Sequence, residues 1–247
     1  MPNWVHSNYA IKGKTEDVLA FINLGLRNSG AKEEKTIAKA IDSLLVNGNN
    51  LVSGHKLGDS KTPADPVIVK GIRFSTFRPI PDTFLRYDTT NYPNEFPEAV
   101  KEQREKYGAV GWYDFNAYKW FGTKWSATLS DWNFTTNKGI TTLFFNADTA
   151  WSIADLWLRW IKDTFPTLAV FHCSDEESGM FYCYGEIDDD AEADCTESIE
   201  GRMQSFEDEY DGDTDSDEYY YQRCEEEQQA LQEMRDEFYS YVADYKI

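Results

Sequence analysis

The sequence predicts an α+β domain followed by an acidic helical extension. Strand-like and helix-like patterns of apolar residues are mixed along the first three quarters of the chain. Before residue 186 the chain is nearly neutral, with 21 acidic and 20 basic residues, whereas residues 186–247 hold 23 acidic and 4 basic residues. An apolar stripe at helical spacing runs through this acidic part. We therefore divide the chain into a body, residues 1–185, and an acidic tail, residues 186–247.

The body opens with a strand and a helix. Residues 3–11 form a β-like run that ends near Gly13, and the apolar residues of 15–26 repeat with helical period. A second helical pattern spans residues 37–45. Residues 47–66 are rich in Gly, Asn, Asp and Ser, which is typical of a loop.

The middle of the body continues the mixed pattern. Residues 67–77 alternate as in a strand, and Pro79 and Pro81 end that run. Residues 95–107 form a polar helix with Pro97 in its first turn. A further strand is predicted over residues 141–147.

A helix and a hairpin complete the body. Ser152 is the predicted N-cap of a helix over about residues 152–163, with Asp155 in the capping-box position. Residues 168–173 and 180–184 are two apolar runs joined by a polar loop that contains Gly179. These runs predict an antiparallel pair at the end of the sheet.

The tail contains an apolar stripe with alternating spacings of four and three residues. Its positions are Tyr220, Cys224, Glu227, Leu231, Met234, Phe238, Tyr241 and Tyr245. Only Glu227 interrupts the stripe, so we predict a helix over about residues 219–245 that buries one face. That face can dock on the body, on a second copy as a homodimer, or in a partner's groove. We favour the body, because the stripe is short for a stable coiled coil.

Several short motifs resemble one known family. They are the opening MPNW, PIPDTF from residue 79, WFGTKW from residue 120, TAWS from residue 149 and ESGMF from residue 177. With these motifs the body resembles phage- and plasmid-encoded proteins with a YubB-type ferredoxin-like domain, most of which have no assigned function. The resemblance implies a ferredoxin-like sandwich, an antiparallel sheet with helices on one face, and a mobile-element origin. It brings no established chemistry, and the tail lies outside it.

This sequence departs from the family pattern at the tryptophan motif. Trp120 and Phe121 stand where members commonly have Asn-Trp, and Ser126 stands where they have a carboxylate or an amide. We therefore transfer no site residues from the family. The motif has two interpretations of its own. Aromatic residues at nearly alternate positions usually pack a sheet against its helices, with the lysine extending to water, and we favour this.

The alternative is a binding site for a small ligand or nucleotide. Gly122 permits a close approach of the backbone, and Lys124 places a cation among aromatic faces. An anionic or planar ligand suits that combination, and this alternative extends to an enzyme. Its candidate residues are Trp120, Gly122, Lys124 and Trp125.

Nothing else in the body indicates catalysis. The three histidines are scattered, and the chain lacks a nucleophile elbow and a glycine-rich phosphate loop. The four cysteines show no paired spacing, so we expect no metal, no cofactor and a reducing cytoplasm. The family resemblance implies that this is the cytoplasm of a bacterial host. The first ten residues show neither the basic nor the apolar region of a signal peptide, and no apolar run reaches eighteen residues, so we expect a soluble protein that is not exported. We expect a binding protein and no catalytic residues.

The acidic tail is the predicted binding surface. Its net charge of −19 over 62 residues excludes direct nucleic-acid binding and favours a basic partner. In a helix this density gives a charge about every 5 Å, compared with a phosphate every ~3.4 Å along one DNA strand. Composition alone favours a solvated tail that only aids solubility. The resemblance to mobile-element proteins implies instead a DNA-mimicking surface that blocks a host defence protein with a nucleic-acid-binding site, and this is our prediction. The candidate residues are Glu207, Asp208, Glu209, Asp211, Asp213, Asp215, Asp217 and Glu218.

Overall fold

Six strands form one antiparallel sheet in the computed structural model, which describes residues 3–28, 72–187 and 193–247. The order across the sheet is β2-β3-β1-β4-β5-β6, with every neighbouring pair antiparallel. The strands are β1 (Trp4–Lys14), β2 (Ser130–Asn137), β3 (Ile140–Ala150), β4 (Ala169–Glu176), β5 (Tyr182–Glu186) and β6 (Ala193–Asp194). The predicted α+β class and the final antiparallel pair are confirmed.

Helices connect and cover these strands. In the described ranges they are α1 (Thr15–Asn28), α2 (Phe74–Phe77), α3 (Asp82–Arg86), α4 (Pro97–Tyr107), α5 (Trp112–Phe115), α6 (Asp155–Thr164), α7 (Thr196–Glu209) and α8 (Asp217–Asp244). A 3-10 turn, Pro93–Glu95, precedes α4, and a π-helix, Asn116–Trp120, follows α5. The predicted helix at 37–45 and loop at 47–66 lie outside the described residues.

The larger core lies on the first face of the sheet. Alternation along β1 turns Tyr9 and Ile11 towards this face, where α1, α2 and α6 cover them. Trp157 of α6 is fully buried at the centre of this first-face core and stacks on Phe74 at a centroid distance of 4.2 Å. The described helices of the body that pack on the sheet therefore share one face.

The tail helix α8 covers the second face. Leu231, Met234 and Phe238 are buried against Phe171 of β4 and form the second-face core. The favoured prediction, that this helix docks on the protein's own body, agrees with this packing. Lys12 of β1 also reaches α8, and its Nζ donates to three carbonyl oxygens at the C-terminal end of the helix.

The predicted stripe is wrong in the first half of α8. Tyr220 and Cys224 are exposed there, and Tyr219 is buried instead. The first half of α8 packs against the end of α7, where Tyr219 contacts Phe206 and Tyr210, whereas the second half packs on the sheet. The buried face of α8 therefore differs between its two halves, and the stripe predicts only the second.

Two local predictions are also wrong, and tertiary contacts explain both. The described end of the predicted strand 67–77 forms one bridge, at Arg73, and then the short helix α2, which turns both Phe74 and Phe77 into the first-face core. Ser152 is not an N-cap, because α6 begins at Asp155 and the Ser152 hydroxyl donates to the carbonyl of Gly122.

The packing continues across the predicted boundary at residue 185. Glu186 ends β5, Ile187 is buried in the first-face core, and β6 pairs with β5. Lys162 of α6 also binds Glu186, with Nζ 3.0 Å from Oε1. No helix within the described ranges has an apolar stretch long enough to cross a membrane.

Candidate functional site

The eight predicted acidic residues lie together at the end of α7, in the connection that follows it and in the first turn of α8. This stretch, residues 207–218, holds eight carboxylates and no Lys or Arg, and we call it the acidic turn. Seven of the eight are exposed; Glu207 is half-buried, and its Oε1 accepts a hydrogen bond from Arg223 Nε at 3.1 Å. The structure therefore brings the predicted residues onto one continuous segment.

Aromatic rings hold the two ends of the acidic turn together. Tyr219 at the start of α8 lies 5.0 Å from Tyr210 and 6.0 Å from Phe206, measured between ring centroids. Ser216 caps α8, since its hydroxyl accepts from the amide of Tyr219 at 3.2 Å. These contacts order the carboxylates between the two helices.

The arginines of the tail form ion pairs within the protein. Arg202 binds Glu226 and Glu233, Arg223 binds Glu207, and Arg235 binds Asp175 of β4. Burial raises the pKa of Asp175, and the guanidinium of Arg235 acts in the opposite direction. Arg223 therefore neutralises Glu207 of the acidic turn, whereas none of these three cations pairs with its other seven carboxylates.

A cleft of about 360 Å³ borders the acidic turn, between α7, α8 and the β4–β5 hairpin. Ile199 and Met203 contribute apolar walls, and Glu200, Glu207 and Glu227 contribute carboxylates. Tyr182 donates its hydroxyl to Glu227 Oε1 at 3.1 Å, and burial together with this carboxylate raises the pKa of Tyr182 to about 12. The cleft therefore extends the negative surface inward from Glu207.

The tryptophan motif separates into two parts in the structure. Trp120 belongs to the interior, where it stacks on Phe115 at 4.9 Å and lies under the guanidinium of Arg78 at 3.9 Å. Its Nε1 donates to the backbone oxygen of Arg78 at 3.2 Å. Burial lowers the pKa of this arginine. Trp120 therefore packs within the body and lies apart from the rings that Lys124 contacts.

Gly122 and Thr123 join this segment to α6 and β3. Gly122 has φ of +83°, and an added Cβ would lie 3.0 Å from the backbone nitrogens of Asp155 and Leu156. The buried Thr123 hydroxyl donates to the oxygen of Ala150 at 3.0 Å and accepts from its amide at 3.1 Å. The sequence predicted that another group approaches the backbone closely at Gly122. In the structure that group is the N-terminal turn of α6.

Lys124 and Trp125 form a second, half-buried part of the motif. The Nζ of Lys124 lies 4.5 Å from the ring centroid of Trp151, 5.2 Å from Trp125 and 5.6 Å from Tyr113. Trp125 packs on Trp4 at 5.7 Å. We call Tyr113, Lys124, Trp125 and Trp151 the aromatic shelf.

Two members of the aromatic shelf were missed by sequence reasoning. Trp151 was assigned to a family motif, and no sequence pattern singled out Tyr113. Trp151 has φ of +73°, an unfavourable conformation for a bulky residue, and no sequence pattern reveals this. The clustering of seven tryptophans between residues 112 and 160 was the available signal.

Comparison of the chain with protein-family models, curated proteins and solved structures finds no match. Within residues 3–28, 72–187 and 193–247, no group of three or more His, Cys, Asp or Glu side chains is arranged to hold a metal ion. The acidic turn and the aromatic shelf are thus the two candidate sites, and their geometry is the basis for assigning function.

Proposed function

We propose that this protein is a non-catalytic binding protein that engages a basic surface of another protein through its acidic turn. The observation that carries the proposal is the ordered display of seven exposed carboxylates in a segment with no cation. Tyr220 and Tyr221, 56% and 66% exposed, follow this segment directly. Tyrosine is enriched at protein–protein contact surfaces, where it often contributes much of the binding energy.

The partner's basic surface is one that binds nucleic acid. The acidic turn offers carboxylates at a density comparable with that of phosphates along DNA, and the two helices fix their positions before binding. Such a surface competes with nucleic acid for the partner. Together with the resemblance to mobile-element proteins, this leads to the narrower proposal of a phage- or plasmid-encoded inhibitor of a host defence protein in the bacterial cytoplasm.

The body is, in this proposal, a ferredoxin-like scaffold. Support comes from the order β1-α1-β2-β3-α6-β4 along the chain and β2-β3-β1-β4 across the sheet, which corresponds to a split βαβ arrangement. Strands β5 and β6 extend this sheet beyond β4. The tail then uses the otherwise open second face as its attachment site.

The experiment is a competition assay with matched charge variants. Proteins are captured from a bacterial lysate on the immobilised full chain, recovered, and allowed to bind fluorescent duplex DNA. The free chain is then added, and the release of DNA is measured. In the test variant Asp208, Glu209, Asp211 and Asp215 become Asn or Gln. These four are chosen because they are exposed and lie outside the Arg223 ion pair and the first turn of α8.

The control variant replaces Glu95, Glu98, Glu102 and Glu105, which are exposed along the 3-10 turn and α4, with Gln. Both variants change the net charge equally. We expect the test variant to lose DNA displacement and the salt dependence of binding, while the control behaves as the native chain. Equal loss in both variants means that net charge alone acts, and unchanged displacement in the test variant refutes the proposal.

A further inference from the structure

The ammonium of Lys124 is held by aromatic rings and not by carboxylates. Three ring centroids lie between 4.5 and 5.6 Å from Nζ. Among the described residues, no carboxylate lies within ion-pair distance of it. In a protein with 44 acidic residues, this lysine keeps an uncompensated positive charge. Cation–π contacts orient an ammonium while leaving it able to bind an anion.

Trp151 presents an indole ring at the same place at a conformational cost. Its φ of +73° is unfavourable for an L residue with a large side chain, and the side chain stays 46% exposed. The ring contacts Tyr113 at 5.5 Å, and the amide donates to the oxygen of Asn3 at 2.9 Å, which fixes the turn after β3. Backbone strain that exposes an aromatic ring occurs preferentially at ligand sites.

We propose that the aromatic shelf binds a mononucleotide, with the base stacked on Trp151 and the phosphate bound by Lys124. An indole face accepts any nucleobase, and an ammonium beside it suits the phosphate of the same ligand. A long nucleic-acid strand is disfavoured, because the chain's net charge of −20 repels a polyanion whereas one phosphate meets only the local charge of Lys124. The site is independent of the acidic turn.

Titration of the full chain with AMP and with GMP tests this proposal, with inorganic phosphate as a comparison. We expect both nucleotides to bind more tightly than phosphate, and Lys124→Met to weaken binding by at least about tenfold. Trp151→Gly is expected to weaken binding similarly, because it removes the stacking surface. Glycine tolerates the positive φ, so this variant is expected to keep the melting temperature of the native chain.

Lys106→Met is the matched control. Lys106 also makes a cation–π contact, 5.2 Å from the Tyr107 ring, but it lies exposed on α4 with a single aromatic neighbour. Native-like nucleotide binding by Lys106→Met supports the proposal. The proposal is overturned by absence of binding to the native chain, by equal loss in both lysine variants, or by phosphate binding as tightly as AMP. Tighter binding of an oligonucleotide than of AMP assigns the shelf to single-stranded nucleic acid and also overturns it.

Discussion

At the scale of single residues, Lys12 joins the first strand of the chain to its last helix. Its Nζ donates to the oxygens of Val242 at 2.7 Å, Ala243 at 3.0 Å and Tyr245 at 2.7 Å. These carbonyls belong to the end of α8, where no further helical amides follow to pair with them. Burial lowers the pKa of Lys12, while Asp244 nearby acts in the opposite direction. The lysine thus serves as a C-cap supplied from a distant strand.

Replacement of Lys12 by Met is expected to destabilise the protein by about 2 kcal/mol, because the stem stays buried while the carbonyls lose a charged donor. Urea denaturation of the full chain measures this change. Lys14→Met is the control, since Lys14 lies on the same strand with an exposed side chain. Equal stability of the two variants would show that Lys12 does not fix the end of α8.

Sequence patterns at the residue scale identified the acidic turn and missed Lys12. The acidic residues are consecutive or nearly so, and their charge keeps them exposed whatever the rest of the chain does. Lys12 and Val242 are 230 positions apart, and a lysine in a β-like run gives no sign of its partner. The aromatic shelf was found only in part, since Lys124 and Trp125 are adjacent whereas Tyr113 and Trp151 come from separate elements.

At the scale of elements, sequence predictions succeeded where burial follows a simple period. Strand β1 and helix α1 were placed within three residues, because each has one face on the first-face core. They failed where a contact with another segment determines the local conformation. The prediction of a strand ending at Phe77 missed α2, whose helical turn alone places Phe74 and Phe77 on the same side.

The segment from Trp120 to Trp125 contacts both α6 and β3. A substitution at Gly122 tests whether the contact with α6 stabilises the fold. Gly122→Ala is expected to destabilise the protein by more than about 2 kcal/mol, because its Cβ would press on the first turn of α6 in addition to the cost of positive φ. Gly139→Ala is the matched control, with φ of +81° and no atom within 4 Å of the added Cβ. Thermal denaturation compares them, and equal losses would show that the contact with α6 is unimportant.

At the scale of the whole molecule, the body helices and the tail helix cover opposite faces of one sheet. The first-face core is built from body residues with the addition of Ile187, whereas the second-face core needs α8. The acidic residues of α8 lie mainly on its solvent-facing side, and α8 begins at the acidic turn. The tail is therefore both the cover of the second face and the support of the proposed binding surface.

A chain that ends after Ile187 tests whether the body folds without the tail, and it keeps β5 complete and retains the ion pair between Lys162 and Glu186. We expect cooperative unfolding, because the first-face core is intact, but at a lower temperature and with binding of an apolar dye, because Phe171 and Tyr182 lose their cover. Full-length Tyr220→Ala is the control, since Tyr220 is 56% exposed and lies outside the second-face core. An unfolded truncated chain would make α8 part of a single folding unit, and full-length stability would mean that packing of α8 contributes little to the fold.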